Sequence, residues 1–391
     1  MAALLSDGRR RPRIKTPTVF AAVMVMLWTR MESLNALEQT KANGYWKKWL
    51  GVNIGSADTH GRVYSTMDTD KLRKLLKAMY RQMRRNKALK GSHQGLRALI
   101  VDGHEQTASY LKDCQGCLKR EMGEEPQVRV QYYHRHVTAM LVCGERMILL
   151  DCEMQKEGEN EVGCATRLLQ RVLKEYPRAF EVVLGDGLYA QGPFFKMVED
   201  HGKYLIAVLK DDRRDLMGDA MGMFLTMQPV VSQRKKKHRQ TWDMEGFTSW
   251  DGFGKSVRVV RCLETQTVTR QKTGQDEKII RDWVWVTTLP QSIASTQTIV
   301  ELGHKRWCVE NEGFNELVNH WHGDHIYKHE ANAIEAFWLT MLLACNLYHA
   351  FVELNLKPVL RARHSVKYWA EIMAAELRTV SQLPERLALG P

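Results

Sequence analysis

The stretch LRALIVDG, residues 96–103, decides the fold. Residues 96–101 are a compact and mostly apolar run, which is typical of a strand buried on both faces of a sheet. The run ends in Asp102-Gly103. A second short run, VVLGDG at residues 182–187, has the same form and ends in Asp186-Gly187. Two buried strands that each end in an acidic residue predict a sheet with a polar crevice at one edge.

Around these two runs, the apolar residues predict alternating strands and helices. Residues 128–142 and 147–151 are predicted to form an antiparallel hairpin. Helices are predicted at residues 161–176 and 193–201, and a strand at residues 204–209. The resulting order, strand, hairpin, helix, strand, helix, strand, indicates an α/β fold in which a mixed sheet is flanked by helices.

The pattern of apolar, aromatic and β-branched residues along the chain predicts four segments. Residues 1–90 are predicted to form a helical domain, and residues 91–212 the first part of the α/β core. Residues 213–290 contain aromatic and alternating β-branched residues, which predict a β-rich insertion. Residues 291–391 are predicted to complete the core with helices and to end in a helical tail.

Two apolar stretches, residues 19–28 and 336–348, are too short to span a bilayer, so both are predicted to be buried helices and no membrane association is expected. The eight cysteines lack the spacing of a disulfide framework. The basic run at residues 9–13 does not resemble a signal peptide. These features predict free thiols in a reducing, cytoplasmic compartment.

The charge of the chain indicates a polyanionic partner. It has 57 Lys and Arg against 45 Asp and Glu, a formal net charge of +12, and nucleic acid is the commonest partner of such a protein. Lys71, Lys74 and Arg81 lie on a predicted helix with little acid nearby, which favours a phosphate-contacting surface over a solvated basic face. A second basic run at residues 234–239 fits either a solvated loop or a DNA clamp.

The two acids at the strand ends are the candidate catalytic groups. The carboxyl ends of adjacent strands open into one crevice, so Asp102 and Asp186 are expected to lie close together. Close carboxylates repel each other, and a divalent cation removes the conflict. Oxygen ligands suit Mg²⁺ or Mn²⁺, and two such ions can activate an attacking oxygen and stabilise a leaving one. The alternative is that each Asp only terminates its strand and caps a turn.

A third ligand is expected from a later helical segment that contains three glutamates. At 100° per residue, an apolar stripe forms from Trp307, Phe314, Leu317, Val318 and Trp321. Glu310 falls inside this stripe, whereas Glu312 and Glu316 fall on the opposite face, toward solvent or a partner. A carboxylate on a buried face needs a cation, so Glu310 is the predicted ligand. The alternative is a plain Arg306–Glu310 salt bridge.

These segments resemble the DDE transposases of bacterial insertion sequences, in the branch with a β insertion before the catalytic glutamate, the insertion-sequence-four family. GDGLY at residues 185–189 resembles the second-aspartate motif. Arg306 and Glu310 match a third motif of tyrosine, arginine three positions later, glutamate four beyond that and lysine seven further on. Gly303 and Leu317 stand where the tyrosine and the lysine would be. The block WCVENEGFN at residues 307–315 is similar to a subset of the family.

The resemblance implies an RNase H-like catalytic fold that covers roughly residues 90–350, preceded by a helical DNA-binding domain. It implies nicking at the ends of an element, followed by attack of the freed 3′-hydroxyl on target DNA. It also implies two ions of Mg²⁺ or Mn²⁺, double-stranded DNA as substrate, a homodimer on paired ends, and a bacterial, nucleoid-associated protein. The residues expected to contact DNA near the site are Tyr189, His304, Lys305 and Arg306.

Three weaker signals accompany these motifs. Trp242 and Trp250 lie in polar, Gly-containing surroundings, so one of them could stack on a base flipped out at the cleavage site, as the resemblance implies; the alternative is ordinary packing. Residues 114–117, CQGC, form a lone CxxC with no second pair at zinc-site spacing, which argues against zinc. The histidines that come after the glutamate segment are expected to be polar-network or phosphate-facing residues; they are His320, His322, His325 and His329.

Two rival functions remain open at the level of sequence. A nuclease with the same acids would use water as its only nucleophile and would not transfer strands. A non-catalytic DNA-binding protein descended from a transposase is the second rival, and the complete set of three acids argues against it.

Overall fold

The computed structural model describes residues 2–380, apart from residues 43, 90–93, 145, 211–213, 235–236, 251 and 271–273. Two of the expected segment boundaries, near residues 90 and 212, therefore border or fall in ranges outside the described residues. The helices are α1 Thr16–Trp28, α2 Leu34–Gln39, α3 Tyr45–Leu50, α4 Ala57–Ser65, α5 Thr69–Arg85, α6 Glu161–Glu175, α7 Gly192–Asp200, α8 Arg214–Leu225, α9 Thr296–Lys305, α10 Asn315–Trp321, α11 Ala331–Asn355, α12 Pro358–Arg363 and α13 Val366–Val380.

The strands are β1 Ala98–Ser109, β2 Leu118–Met122, β3 Arg129–Cys143, β4 Arg146–Met154, β5 Val182–Gly185, β6 Tyr204–Val208, β7 Val230–Arg234, β8 Lys237–Phe247, β9 Val257–Thr269 and β10 Asp276–Thr287. In the described part of the chain they form a 10-stranded mixed sheet in the order β2-β3-β1-β5-β6-β10-β9-β8-β7, with β4 paired to β3. The expected mixed sheet with helices packed on it is therefore the architecture of the protein.

Three parallel strands, β1, β5 and β6, form the centre of this sheet. Ala98 pairs with Val182, and Val182 in turn pairs with Tyr204. The apolar run at the start of β1 is buried at every residue from 98 to 101, which requires cover on both faces of the sheet. Helix α6 packs on β1, β3 and β4, and α7 packs on β6. The two apolar runs that end in Asp-Gly are therefore the buried central strands that the sequence predicts.

Strand β1 is longer than the sequence indicates, and its length shapes the crevice. Its parallel pairing with β5 ends at Ile100–Leu184, but its antiparallel pairing with β3 continues to Ser109. The sheet therefore splits between β1 and β5 directly before Asp102. The expected end of the strand at Asp102 is wrong because β3 supplies partners that local sequence cannot reveal.

The region expected to be β-rich extends the same sheet. Strand β10 pairs antiparallel with β6, and β9, β8 and β7 lie outward from it in turn. Helix α8 precedes these strands and packs on β8. Strand β10 also carries Trp285, which is fully buried, and Trp283, which is only partly buried.

The N-terminal helices pack against the sheet and against helix α11. The indole of Trp28 donates to the carbonyl of Ala344 at 3.0 Å. The guanidinium of Arg73 in α5 bonds Asp151 of β4 at 3.1 Å and also bonds Glu335 of α11. Buried residues of these helices and of the sheet form one continuous hydrophobic cluster. The basic helix α5 is therefore fixed to the core by ion pairs.

Helix α11 is long and apolar enough to cross a membrane by length and composition alone. However, 67% of its most apolar window is buried inside the protein, where it packs on α1, α4, α5 and β4. In this fold it serves as a core helix, which agrees with the expectation that residues 336–348 are buried. The N-terminal apolar stretch is likewise the buried helix α1.

Candidate active site

Asp102 lies on β1 at the point where the central sheet splits. Its side chain is only 12% exposed. Its Oδ1 accepts from the backbone N–H of Gly103 at 3.0 Å, and its Oδ2 accepts from Nη1 of Arg306 at 3.2 Å. Asp102 is therefore a buried carboxylate held by one guanidinium.

Asp186 comes directly after β5 at the same level of the sheet. Because Ile100 pairs with Leu184 in parallel register, Asp102 and Asp186 both lie two residues beyond the last pair. Asp186 caps a short 3₁₀ turn, Gly187–Tyr189, by accepting from the N–H of Leu188 at 2.8 Å. This turn fixes the carboxylate at the mouth of the crevice, as expected for the carboxyl end of a parallel strand.

Glu310 is linked to Asp102 through Arg306. Arg306 is 6% exposed, and its Nη1 bonds both Glu310 at 3.0 Å and Asp102 at 3.2 Å. The alternative of an Arg306–Glu310 salt bridge is thus present in the structure, but the same guanidinium nitrogen also holds Asp102. Asp102, Glu310 and Arg306 therefore lie together, and Asp186 lies at the same level of the neighbouring strand.

The electrostatics of this cluster are unfavourable for three carboxylates alone. Burial raises the pKa of Asp102 to about 7, and the charges of Asp186, Glu310 and Glu161 act in the same direction, while Arg306 opposes them. Hard carboxylate oxygens that repel one another in a partly buried crevice are the donor set that Mg²⁺ or Mn²⁺ prefers. These residues therefore fit a divalent metal site.

Glu161 is a fourth acid that sequence reasoning missed. It is the first residue of α6, a common place for an acid because the helix dipole favours it. Its carboxylate packs so closely on Gly103 that a Cβ at that position would lie only 2.5 Å from it. The carboxylate also accepts a hydrogen bond from the hydroxyl of Tyr189 at 2.9 Å. The only local signal was its place at a helix start, which is also the signal of an ordinary solvated acid.

Tyr189 does not face DNA, contrary to the expectation from the second-aspartate motif. The side chain is fully buried, and its hydroxyl donates to Glu161. Burial raises the pKa of the Tyr189 hydroxyl well above its usual value, so this group stays protonated as a donor. Tyr189 therefore orients Glu161 rather than binding a phosphate.

The helical segment that carries Glu310 contains a π-helix, Val309–Phe314, and this changes the faces expected from an ideal helix. The extra residue in the wide turn rotates the residues after it by about 100° relative to an ideal helix. Trp307 is 37% exposed, whereas Phe314 and Trp321 are buried. The Glu310 side chain is 41% exposed, so the expectation that it lies within a buried stripe is wrong.

The expectation that Glu316 points away toward solvent or a partner is also wrong. Its carboxylate accepts from the indole of Trp321 at 3.1 Å and lies 2.6 Å from Nε2 of His349. These contacts lower its pKa against the effect of burial. Glu312, in contrast, is exposed as expected. Glu316 is occupied by a separate polar cluster beside α11.

The structure explains why glycine, and not the family's tyrosine, stands at position 303. A Cβ at this position would lie 2.4 Å from the indole of Trp285. Trp285 thus fills the space above α9, and the same ring lies edge-on to His304 at 5.3 Å between centroids. Burial lowers the pKa of His304 to about 4, so this residue is neutral at pH 7 and adds no positive charge. Lys305 is partly exposed.

An aromatic pocket of about 430 Å³ lies beside the glutamate segment. It is lined by Lys237, Glu264, Arg281, Trp283, His304, Trp307 and Asn311. The ring of Trp307 also lies under the guanidinium of Arg306, 4.2 Å from its centroid. Trp307 is therefore an exposed aromatic in direct contact with the acidic cluster, which the uniform helical pattern had assigned to the core.

Trp242 and Trp250 are poor candidates for base stacking. Trp250 is 8% exposed and packs edge-on against Phe195 at 4.8 Å. Trp242 donates to the carbonyl of Met227 at 3.3 Å, and Arg261 covers its ring at 5.0 Å. For both residues the structure favours the alternative of ordinary packing, since Trp250 is buried and Trp242 is partly buried.

The basic surface is more strongly paired than its sequence indicates. In α5, Lys74 and Arg81 are exposed, but Lys71 donates to Ser6 at 2.6 Å and Lys77 pairs with Glu175. Ser6 and Glu175 are distant in sequence from α5, so the sequence around the helix does not reveal them as partners of its lysines. The expectation that little acid offsets the charge of this helix was therefore only partly right. Lys74 and Arg81 keep the exposure that a phosphate contact requires.

The second basic run forms part of the β7–β8 hairpin, and residues 235–236 lie outside the described residues. The amino group of Lys237 and the guanidinium of Arg239 each bond Glu264 at 2.8 Å. At least these two cations are consequently neutralised within the sheet. The remaining choice between a solvated loop and a DNA clamp stays open at residues 235–236.

Comparison with known families agrees with this geometry. The family described as the transposase DDE domain matches residues 93–347, which span both aspartates, the strands β7 to β10 and Glu310. The chain belongs to the DDE transposase domain family. It is accordingly a transposase-type protein that acts on DNA, and domains of this family generally use divalent metal ions. No curated protein matches the chain.

Proposed function

We propose that the protein is an insertion-sequence transposase that cuts DNA at the ends of its element and joins the freed 3′-hydroxyl to target DNA. Asp102, Asp186 and Glu310 would hold two Mg²⁺ or Mn²⁺ ions. The observation that carries the proposal is that Asp102 and Glu310, distant in sequence, share one guanidinium nitrogen of Arg306, while Asp186 lies near enough for its charge to act on Asp102. The two ions would activate the attacking oxygen and stabilise the leaving oxygen.

The chain's own residues prepare this site in three ways. Arg306 orients Asp102 and Glu310 through its Nη1. Tyr189 holds Glu161 beside Gly103. The alkyl chain of the exposed Lys210 lies against Gly187, which brings its ammonium to the edge of the crevice near Asp186. Lys210 is therefore a further candidate for phosphate contact.

Other parts of the chain would bind the rest of the DNA. Residues 1–90 would act as the helical DNA-binding domain, with Lys74 and Arg81 on phosphates, and residues 213–290 as the β-rich insertion. Residues 91–212 and 291–391 would form the RNase H-like core. The insertion before Glu310 supports membership in the insertion-sequence-four branch. Such a protein would act as a homodimer on paired ends, at the bacterial nucleoid. Trp307, rather than Trp242 or Trp250, is then the candidate for contact with a base near the cleaved bond.

Strand transfer is tested with a precut, end-labelled duplex that carries the inverted repeats flanking the reading frame. The wild-type protein with Mg²⁺ should join the label to a supercoiled plasmid. Asp186→Asn should still shift the duplex in a gel but should give no joined product, because the amide removes the charge that a metal requires. Cleavage of an uncut duplex with the same repeats, without any joined product, would favour the nuclease. Binding without either reaction would favour the non-catalytic alternative.

A further inference from the structure

A second cluster of metal-binding side chains lies away from the acidic site. It consists of Cys114, Cys117, His134 and His329, whose ligand atoms all lie within 4.8 Å of one another. The Sγ atoms are 3.7 Å apart, and the two Nε2 atoms are 3.4 Å apart. Nε2 of His134 lies 3.4 Å from Sγ of Cys114 and 3.3 Å from Sγ of Cys117, and Nε2 of His329 lies 3.5 Å from Sγ of Cys117.

These separations agree with the edges of a zinc tetrahedron. With Zn–S of about 2.3 Å and Zn–N of about 2.0–2.1 Å, tetrahedral angles give roughly 3.8 Å between sulfurs, 3.5 Å between sulfur and nitrogen, and 3.3 Å between nitrogens. The five separations given above lie within about 0.3 Å of these values. The sixth edge, between Sγ of Cys114 and Nε2 of His329, is within 4.8 Å. We propose that Cys114, Cys117, His134 and His329 bind one structural zinc ion.

The four ligands come from three separate parts of the fold. Cys114 and Cys117 lie in the loop between β1 and β2, His134 lies on β3, and His329 lies just before α11. The two histidines are 195 residues apart in sequence. The expectation that the CxxC lacks a second pair is therefore wrong, because the second pair is assembled only by folding. His329 is likewise a ligand candidate and not a phosphate-facing residue.

The loop around the cysteines is shaped to close this site. A Cβ at Gly116 would lie 2.7 Å from Cβ of Ala331, the first residue of α11, so only glycine allows the loop to approach the helix. The N–H of Cys114 donates to Sγ of Cys117 at 3.2 Å, as second-layer hydrogen bonds to zinc-bound sulfur do. Four protein ligands leave no open position, which indicates a structural and not a catalytic ion.

Burial without an ion would leave Cys117 and His134 uncharged. Burial raises the pKa of the Cys117 thiol to about 11 and lowers the pKa of His134 to about 4. A bound Zn²⁺ would turn the thiols into thiolates and take up the imidazole lone pairs, releasing protons. The ion would also tie the loop after the Glu310 segment to strand β3, which pairs with the Asp102 strand. It would thereby steady two parts of the acidic site from outside.

The test is the zinc content of the purified full-length chain, measured by inductively coupled plasma mass spectrometry. The wild-type protein should hold about one zinc ion per chain, and Cys114→Ser, Cys117→Ser and His329→Ala should each lose it. Cys308→Ser, a partly exposed cysteine elsewhere, and His238→Ala, an exposed histidine on β8, should keep it. Asp186→Asn should also keep it, which separates this ion from metal at the acidic site.

A second measurement covers the case in which the ligand variants do not fold. After zinc removal, Co²⁺ added to the wild-type chain should give the visible bands of a tetrahedral site with thiolate ligands, and Zn²⁺ should displace them. The melting midpoint should fall on zinc removal and recover on zinc addition, whereas Mg²⁺ should not restore it. A zinc-free wild-type chain of full stability, zinc retained by Cys117→Ser, or a Cys114–Cys117 disulfide in the native protein would each overturn the proposal.

Discussion

Replacing Asp102 by Asn should stabilise the metal-free protein at neutral pH. The pKa of Asp102 is raised from its ordinary 3.8 to about 7, chiefly by burial, so the folded state binds this proton more tightly than the unfolded state. The stability that the proton confers is full below about pH 4 and is lost as the pH rises through about 7. Asn mimics the protonated carboxyl at every pH, so the variant should keep this stability as the pH rises.

The magnitude is set by the slope of stability with pH. Each pH unit between the two pKa values changes the free energy of unfolding by about 1.4 kcal/mol, so wild type should lose about 2.7 kcal/mol relative to Asp102→Asn between about pH 5 and pH 7. At about 2.1 cal/mol/K per residue, the unfolding entropy of 391 residues is about 0.8 kcal/mol/K. Between about pH 5 and pH 7, the melting midpoint of Asp102→Asn should therefore rise by about 3 °C relative to that of wild type.

The assay is thermal melting in EDTA at several pH values, with Asp200→Asn, an exposed carboxylate at the end of α7, as the matched control. The control should behave like wild type at every pH. Added Mg²⁺ should then raise the wild-type midpoint at pH 7 but leave Asp102→Asn unchanged, because ligand binding stabilises only a chain that can bind it. Parallel melting curves for wild type and Asp102→Asn would refute the argument that Asp102 is a buried, repelled carboxylate.

Three further predictions rest on single contacts. Gly303→Ala should lower the melting midpoint by several degrees, because its Cβ would lie 2.4 Å from the Trp285 indole, and calorimetry checks this. Lys74→Ala with Arg81→Ala should reduce the slope of log affinity against log salt by about 2 in a DNA-binding titration, at about 0.9 per phosphate contact; an unchanged slope would mean a solvated face. Trp307→Ala should slow metal-dependent nicking by about fivefold through loss of a cation–π contact of about 1 kcal/mol, with melting almost unchanged.

The acids at the strand ends could be predicted because their signals are local. An apolar run of strand length that ends in Asp-Gly marks both Asp102 and Asp186, and parallel pairing then brings them to one level of the sheet. Arg306 and Glu310 could be found because they lie one helical turn apart. These features need only short-range sequence and the general geometry of sheets and helices.

The remaining features depend on contacts between distant residues. Glu161 enters the site only because α6 starts beside Gly103, and its sequence context is that of an ordinary helix start. The π-helix breaks the regular rotation of 100° per residue, so Trp307 and Glu316 lie on other faces than an ideal α-helix predicts. The paired cysteines and histidines meet only when β3 and the start of α11 come together. Such features arise from tertiary packing, which local pattern does not encode.

We propose that Glu310, and not its neighbours, completes the metal site with Asp102 and Asp186. Glu310 bonds the buried Arg306 at 3.0 Å, while Glu312 is exposed on the same π-helix and gives a matched control. The decisive measurement is Mg²⁺-dependent nicking of DNA carrying the flanking inverted repeats by Glu310→Gln and Glu312→Gln, purified in parallel. Glu310→Gln should lose activity by several orders of magnitude while Glu312→Gln stays near wild type; an active Glu310→Gln beside an inactive Glu312→Gln would contradict the account.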